Sequence, residues 1–548
     1  MSFHYSRQGL SQQERRWERF FQILPGFASW TVILGMIGLS FWQPIAAAIG
    51  MIVFNFYWLL RMLYITIFLW LSYFRLSLEA QTDWMARVKA LDAYLASGME
   101  ALAPSAEGNF KKRLSAWIYA RQMRALRKGR TAPPSSGEIT HLVIIPAVKE
   151  TRAILEPGIS RIADGSFPAS RIVIVLALED RADASVKQGA EELKTAYGAR
   201  FEDFLVIYHP ADLPGEARVK GANITYAARR AQLYFAQKGT PQEKIVVSCF
   251  DADTVVSPDY FACLTAAFIL CPDRYRASFQ PIPVYHNNIW DVPGFARVLE
   301  TGASLFQLTE ATDPDKLVTF SSHSMSFKAL VEVDYWPVDM ISDDSAIFWK
   351  ALLHYRGDYR VVPMNITVSM DVIDAGNIFK TALSVYKQKR RWAWGVENFP
   401  IVMRGFMKTP EMDWRDKIRH GFKLFEGHLA WATWPFLLAV IGWLPALFAS
   451  REFENSVLYY SAPRISGTIF NLAMLSLITT IILSFCLLPK SKSKRSIFVR
   501  AVHAFEWLLV PPIMIFFSAL PALDAQTRLM FARYLEFWVS EKKRTSSS

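Results

Sequence analysis

The chain has 548 residues, 52% of them hydrophobic, and a formal net charge of +12. It is long enough for more than one domain, and 39 Phe, 18 Trp and 20 Tyr exceed what a soluble enzyme ordinarily carries, which points to a membrane. The positive surplus flanks apolar runs without any nucleic-acid-binding signature, and Cys249, Cys263, Cys271 and Cys486 show no CxxC spacing. Lipid headgroups are therefore expected rather than nucleic acid, and packing cysteines in a reducing compartment rather than a zinc site or disulfide framework.

Residues 1–26 are expected to be a cytoplasmic segment, with Arg7, Arg15, Arg16 and Arg19 ahead of an apolar run that lacks a signal-peptide cleavage site. Residues 27–74 predict two transmembrane helices, Phe27–Ile49 and Met51–Phe74, in a stretch broken around Gln43-Pro44. Arg61 marks either the end of the second span or a polar path within it. Residues 75–137 carry charge at helical spacing and read as a basic, membrane-adjacent layer ending in the linker Thr131–Gly137.

From 138 to 400 the pattern alternates. Strands are predicted at His141–Ala147, Arg171–Leu178, Phe204–Tyr208 and Ile245–Phe250, and helices at Arg152–Ala163, Ala182–Tyr197 and Val219–Gln237. This predicts an α/β, Rossmann-like domain with a mainly parallel sheet, inserted between membrane helices and functional at the carboxyl ends of its strands. Residues 401–427 predict an interfacial helix around Asp413–Glu426. Within 428–523 the apolar runs His428–Ser450, Gly467–Leu488 and Phe498–Ala522 follow, with Lys490, Lys492, Lys494 and Arg495 between the last two. Three full crossings would put the basic tail, 524–548, on the far side. A re-entrant last run, split at Pro511-Pro512, would bring it back.

Asp251-Ala252-Asp253 closes the fourth strand. Side chains at i and i+2 of an extended chain share a face, so the two carboxylates are expected to point into one pocket. Their repulsion calls for a cation, and Mg²⁺ or Mn²⁺ suits oxygen ligands; an acidic turn capping the next helix is the plain alternative. Four further segments stand in order around it: Pro146–Glu150, Glu179-Asp180, Lys220–Asn223, and Ser342-Asp343-Asp344 followed by Gln388-Lys389-Arg390-Arg391-Trp392. Read singly, Asp180 and Ser342–Asp344 are helix N-caps, Lys220 is a surface lysine, and Gln388–Trp392 is a basic-aromatic helix end at a membrane.

Read together, the ordered set resembles the membrane-embedded, inverting family 2 glycosyltransferases of GT-A type, most of all the cellulose, hyaluronan and chitin synthases. The resemblance implies that Pro146, Glu150, Asp180, Lys220 and Asp251 bind the donor nucleotide and that Asp251 and Asp253 hold the metal. It implies that Asp344 is the general base with Asp343 beside it raising its pKa. Gln388, Arg391 and Trp392 would serve the leaving diphosphate and the acceptor, Arg391 as a fork on phosphate and Trp392 as a stacking face. Val148 and Lys149 replace the family's Tyr and Asn, and Ser322-His323-Ser324 stands where a Gly-Ser turn lines the acceptor site; Gln280 and Asn287 line that site or serve packing. Phe537–Lys542 resembles the gating loop of bacterial cellulose synthase, with Ser540 for Thr.

The expected activity is inverting transfer of a sugar from a nucleotide-diphosphate sugar, UDP-linked, to a glycan hydroxyl by a processive synthase coupled to export. Single addition to a lipid-linked or short acceptor, a transporter with a regulatory domain, and an inactive nucleotide-binding scaffold stay open as alternatives. The expected partners are the nucleotide-sugar, a glycan or lipid-linked acceptor and the bilayer, with no nucleic acid and with an accessory export subunit left open. The expected location is a bacterial inner membrane with the catalytic domain in the cytoplasm.

Overall fold

Two long apolar helices, α1 (Gln12–Trp42) and α2 (Pro44–Glu79), open the fold. Ser11 and Glu14 close a capping box on α1, each accepting the other's backbone N–H. The break falls at Gln43, where Pro44 ends one helix and starts the next, not between Ile49 and Met51 as expected. Both helices also overrun the expected limits, to Gln12 and Glu79. Arg61 therefore lies inside α2, where it pairs with Glu426 at 3.3 Å and sits 5.7 Å above the Trp434 ring. The computed structural model describes residues 3–98, 110–126, 132–448, 455, 457–489 and 505–536. The stretch Lys490–Arg495 and the gating-loop-like segment Phe537–Lys542 lie outside these.

Helices α3 (Trp84–Ala96) and α4 (Phe110–Leu126) bury Val88, Leu91, Tyr94, Tyr119 and Met123 in the same core as the sheet. This basic layer is thus packed onto the catalytic domain. The domain itself is one mixed, eight-stranded sheet of β1 (Thr140–Ala147), β2 (Ile172–Glu179), β3 (Asp203–His209), β4 (Ile245–Cys249), β5 (Val255–Val256), β6 (Ala277–Val284), β7 (Ser324–Ser326) and β8 (Arg360–Ser369). The order is β3-β2-β1-β4-β7-β6-β8-β5. Strands β3, β2, β1 and β4 run parallel, as do β6 and β8, while β7 and β5 pair antiparallel. The predicted elements appear within two residues of their expected ends, including α5 (Arg152–Ala163), α6 (Ala184–Tyr197) and α7 (Lys220–Gln237).

The Val/Ile-rich parallel strands are covered on both faces. Val143 and Ile145 of β1 face one core with α5, α6 and α8 (Tyr260–Leu270); Leu142 and Ile144 face the other, with Ile224, Ala227 and Ala228 of α7. Helix α9 (Gly294–Glu310) follows β6, α10 (Phe327–Glu332) follows β7, and α11 (Asp343–His354) packs on α13 (Asn398–Lys408). Helix α12 (Ile378–Ala393) carries Gln388–Trp392 at its end.

The expected interfacial helix at 401–427 is replaced by two elements. Helix α13 is buried through Ile401, Val402 and Phe406, and α14 (Trp414–Ala439) joins the charged segment to the apolar run that follows. After Ala439 the chain bends by 45° into Ile441–Leu447. Helices Val457–Leu487 and Leu520–Met530 complete the described chain, the latter entered through a π-helical turn at Ile515–Ala519. Among the described residues, four helical stretches are long and apolar enough to cross a membrane: Gln12–Trp42, Pro44–Glu79, Tyr459–Leu487 and Trp507–Met530, with a fifth if the bent pair is one span. The bend therefore falls after Ala439 and not at Pro511-Pro512, which occupy a helical first turn where a missing N–H costs no bond.

Helix α7 enters the sheet domain through a close approach at Gly221. A Cβ there would stand 2.2 Å from the Pro337 carbonyl oxygen and 3.3 Å from Cβ of Asp343. Gly221→Ala is expected to destabilise the protein by about 1–3 kcal/mol through overpacking. At Gly302, in α9, a Cβ meets nothing within 4 Å, so Gly302→Ala is expected to hold or raise the melting temperature. Thermal unfolding of both variants in detergent checks the contrast; equal midpoints would contradict it.

Candidate active site

The ends of β1, β2 and β4 lie side by side, so the loops that follow them share one edge of the sheet. At the centre of that edge stands Lys220, the first residue of α7. Its Nζ donates to Asp251 Oδ1 at 2.7 Å and to Asp344 at 2.9 and 3.2 Å, and lies 3.8 Å from Asp343 Oδ2. Burial opposes the ammonium charge, but Asp251, Asp344 and Asp343 together hold its pKa well above the ordinary lysine value. A lysine that reads as a surface residue is the cation that joins three motifs. Asn223, one turn on, anchors the helix by donating to the Ala177 carbonyl at 2.8 Å.

The Asp251–Asp253 segment is not extended. Strand β4 ends at Cys249, and the chain turns so that Thr254 N–H donates to the Asp251 carbonyl at 2.9 Å. The two carboxylates have different partners. Asp251 is about one-third exposed and accepts from Lys220 and Ser321 Oγ. Asp253 is buried and accepts from the Asp371 N–H at 2.8 Å, beside Asn287, which donates to the Asp253 carbonyl at 3.0 Å and to Asp371 Oδ1 at 2.8 Å. The extended backbone expected here is absent because the chain leaves the sheet before the first Asp. Asn287 and Gln280 are polar struts: the Gln280 side chain accepts from Phe320 N–H at 2.7 Å.

Ser322 adopts φ +61°, the left-handed region that glycine occupies without cost. The serine compensates with its hydroxyl, which meets Thr254 Oγ1 at 2.7 Å and accepts from Asp251 N–H at 3.3 Å, tying the turn to β7. His323 is buried; its Nδ1 donates to the Phe320 carbonyl at 3.0 Å and lies 4.0 Å from Asp344 Oδ1, and burial lowers its pKa. Its Nε2 has no hydrogen-bond partner among the described residues.

Ser342 stands at the N-cap position of α11, but its side chain makes no capping bond. Its hydroxyl donates to Glu397 at 2.7 Å. Asp343 itself has a raised pKa: burial, reinforced by the negative charge of Asp344, pushes it to about 8 against the opposing Lys220 and Arg391, which favours its neutral form.

Gln388 is buried in α12, and Trp392 packs against Tyr285 and Phe320 with ring centroids 6.2 and 5.8 Å away. The two middle residues of this motif are fixed from elsewhere. Lys389 pairs with buried Glu300 at 2.8 Å and lies 3.7 Å from the Trp392 ring centre, and Arg390 pairs with Asp524 at 2.9 Å. Arg391 alone of the three acts on Asp343.

The remaining expected donor residues occupy the same edge further out. Pro146 is the next-to-last residue of β1, and Glu150 folds back to accept from Val148 and Lys149 N–H at 2.8 and 3.0 Å. Asp180 is exposed and accepts from Lys187 at 3.2 Å; it is not an N-cap, since α6 begins at Ala184 after Asp183. Sequence reasoning missed Ser321, Glu300, Asp524 and Glu397. None follows a motif spacing, and only Ser321 adjoins a segment already singled out.

The family model described as glycosyl transferase family group 2 matches residues 246–490, the part that holds Asp251, Asp253, Ser322, Asp343, Asp344 and Gln388–Trp392. Poly-beta-1,6-N-acetyl-D-glucosamine synthases from Staphylococcus aureus strains are 28% identical over 166 residues, 30% of this chain and 37% of theirs. The match thus spans little more than a third of these relatives. Among solved structures, a Pyrobaculum calidifontis mannosyltransferase in complex with GDP-Man and Mn²⁺ aligns over 82% of this chain and all of its own, at TM-score 0.40 and 12% identity. Staphylococcus aureus TarS 1–349 with UDP-GlcNAc aligns over 74% of this chain and 95% of its own, at 0.34 and 11%. Residues 246–490 thus match a family 2 glycosyltransferase domain, and the mixed α/β sheet lies between apolar helices near each end of the described chain.

The protonated Asp343 gives a pH test. An unfolded aspartate titrates near ~4, whereas the folded one titrates at about 8. Between these values the folded chain binds a proton that the unfolded chain has lost. The stabilisation is complete below the lower value and disappears as pH rises through the upper one. The melting temperature of the wild type is expected to fall over this window relative to Asp343→Asn. Parallel curves for the two proteins would contradict the assignment.

Proposed function

We propose that the protein transfers a sugar from a nucleotide-diphosphate sugar to a glycan hydroxyl with inversion, as a processive synthase at a membrane. The observation that carries this reading is the meeting of Asp251, Asp344 and Asp343 around Lys220 at the carboxyl edge of the sheet. Lys220 would turn in part from its carboxylates to the donor diphosphate, whose charge its ammonium offsets. Asp344 would accept the proton of the acceptor hydroxyl as that oxygen attacks the anomeric carbon, and the nucleotide diphosphate would depart from the opposite side. Arg391 would stabilise the departing charge, and Trp392 with Tyr285 and Phe320 would form the acceptor's stacking wall. The Tyr285 hydroxyl is buried without a hydrogen-bond partner among the described residues and would serve a sugar hydroxyl.

A divalent cation, Mg²⁺ or Mn²⁺, fits the donor set, since Asp251 and Asp253 offer only hard oxygens. No group of three or more His, Cys, Asp or Glu side chains converges among the described residues. Substrate oxygens would have to complete the shell, which is how Mg²⁺ is usually held in phosphate sites. When bound, such an ion neutralises diphosphate charge.

The relatives named as poly-beta-1,6-N-acetyl-D-glucosamine synthases favour N-acetylglucosamine as the sugar transferred and a growing polymer as acceptor. Four crossings would return both ends of the chain to the side of the catalytic domain, which the proposal puts in the cytoplasm of a bacterial cell.

Purified protein in nanodiscs, offered UDP-N-acetylglucosamine, UDP-glucose, UDP-glucuronate and GDP-mannose with Mn²⁺ or Mg²⁺, is expected to release nucleotide from one UDP-sugar and make long product. Asp344→Asn is expected to lower the rate by roughly 10²–10⁴, and Arg391→Ala by about 10²–10³. Short product would replace the synthase reading by single addition, and absence of nucleotide binding would end the proposal.

A further inference from the structure

The loop that delivers Asp343 and Asp344 is held by a carboxylate outside every motif. Glu397 is buried, five residues beyond Trp392. Its Oε1 accepts from Ile341 N–H at 3.1 Å, Ser342 N–H at 3.0 Å and Ser342 Oγ at 2.7 Å; its Oε2 accepts from Trp394 Nε1 at 2.8 Å and Arg7 at 2.6 Å. Neighbouring Asn398 donates to Ser342 Oγ at 3.0 Å and Ser345 Oγ at 3.1 Å, and accepts from the buried Tyr5 hydroxyl at 2.7 Å.

The segment that supplies Tyr5 and Arg7 is seated just as firmly. Ser6 Oγ donates to Asp339 at 2.8 Å, Arg404 donates to the Ser6 carbonyl at 2.6 Å, and Arg7 stacks 4.7 Å from the Tyr534 ring centre. Arg7 supplies the positive charge that Glu397 needs where water is excluded, and its hydrogen bond is charge-assisted.

We infer that Glu397, neutralised by Arg7, is the positioning residue for the catalytic base, locking the backbone just before Asp343–Asp344 to the segment that ends the Trp392 helix. Base and acceptor wall then move as one body. This inference rests on reading Asp344 as the base. A carboxylate that touched only solvent or its own helix would have no such effect. Glu397 instead spends three of its five bonds on the loop itself, and the remaining two tie that loop to Trp394 and to a segment 390 residues away.

The test compares nucleotide release by wild type, Glu397→Gln, Arg7→Met, Arg7→Lys and Asp344→Asn in nanodiscs, with melting temperatures recorded alongside. Glu397→Gln and Arg7→Met are expected to lose about 100-fold in kcat, the penalty of a small misplacement, with donor KM near wild type and, in Arg7→Met, a lowered melting temperature that still leaves the protein folded at the assay temperature. Arg7→Lys is expected to recover most of the rate, because charge and donor are restored. Wild-type kcat in Glu397→Gln and Arg7→Met with Asp344→Asn inactive overturns this inference alone. A rate loss that Arg7→Lys does not recover, or that comes with an equal rise in KM or a collapse of the melting temperature, assigns a merely structural role and also overturns it. Full turnover by Asp344→Asn removes the base itself, and both readings fall together.

Discussion

Three carboxylates and one ammonium meet at the edge of the sheet, and the arrangement holds because of the balance of charge among them. Lys220 is 12% exposed and Asp343 is buried, so water offsets little of their mutual field. Asp251 and Asp344 would repel each other without Lys220, and a third negative charge would exceed what one ammonium can compensate. Burial favours the neutral form of Asp343, which relieves that third charge. The cluster is therefore compact yet strained toward cations, which suits a place where a diphosphate and its counter-ion come and go.

The surrounding structure exists to bring the four groups from distant parts of the chain to one point. Helix α7 delivers Lys220 through the gap that Gly221 leaves under Pro337. The turn after β4 delivers Asp251 and is pinned by the Ser322 hydroxyl from a left-handed backbone position. Glu397 and Asn398 hold the third loop. The apolar helices contribute through α12, whose end carries Arg391 and Trp392 and whose Arg390 is drawn away by Asp524 of the last helix.

Much of this was legible from residue pattern. Alternating Val/Ile runs and amphipathic helices placed β1 to β4 and α5 to α7 within two residues, because β1, β2 and β4 are buried on both faces and each helix on one. The ordered motifs marked the residues that now converge on Lys220. What escaped was three-dimensional. The sequence around Asp251 does not reveal that the strand stops two residues earlier, so a turn was taken for extended chain. The helix break at Gln43 was visible as a proline but was overridden by continuous hydrophobicity. Glu397 and Arg7 lie 390 residues apart, and no local periodicity links them. The glycine-like φ of Ser322 was signalled only by the residue's departure from the expected Gly-Ser turn.

The most direct test of the charge cluster is equilibrium binding of UDP and UDP-N-acetylglucosamine to wild type and Lys220→Met in nanodiscs, at fixed Mn²⁺. If Lys220 is the cation that poises Asp251 and Asp344 for a diphosphate, the variant binds both ligands at least about tenfold more weakly, the loss expected for a charge-assisted contact. Equal affinity in the two proteins, with turnover unchanged, would show that the cluster is only a structural ion pair.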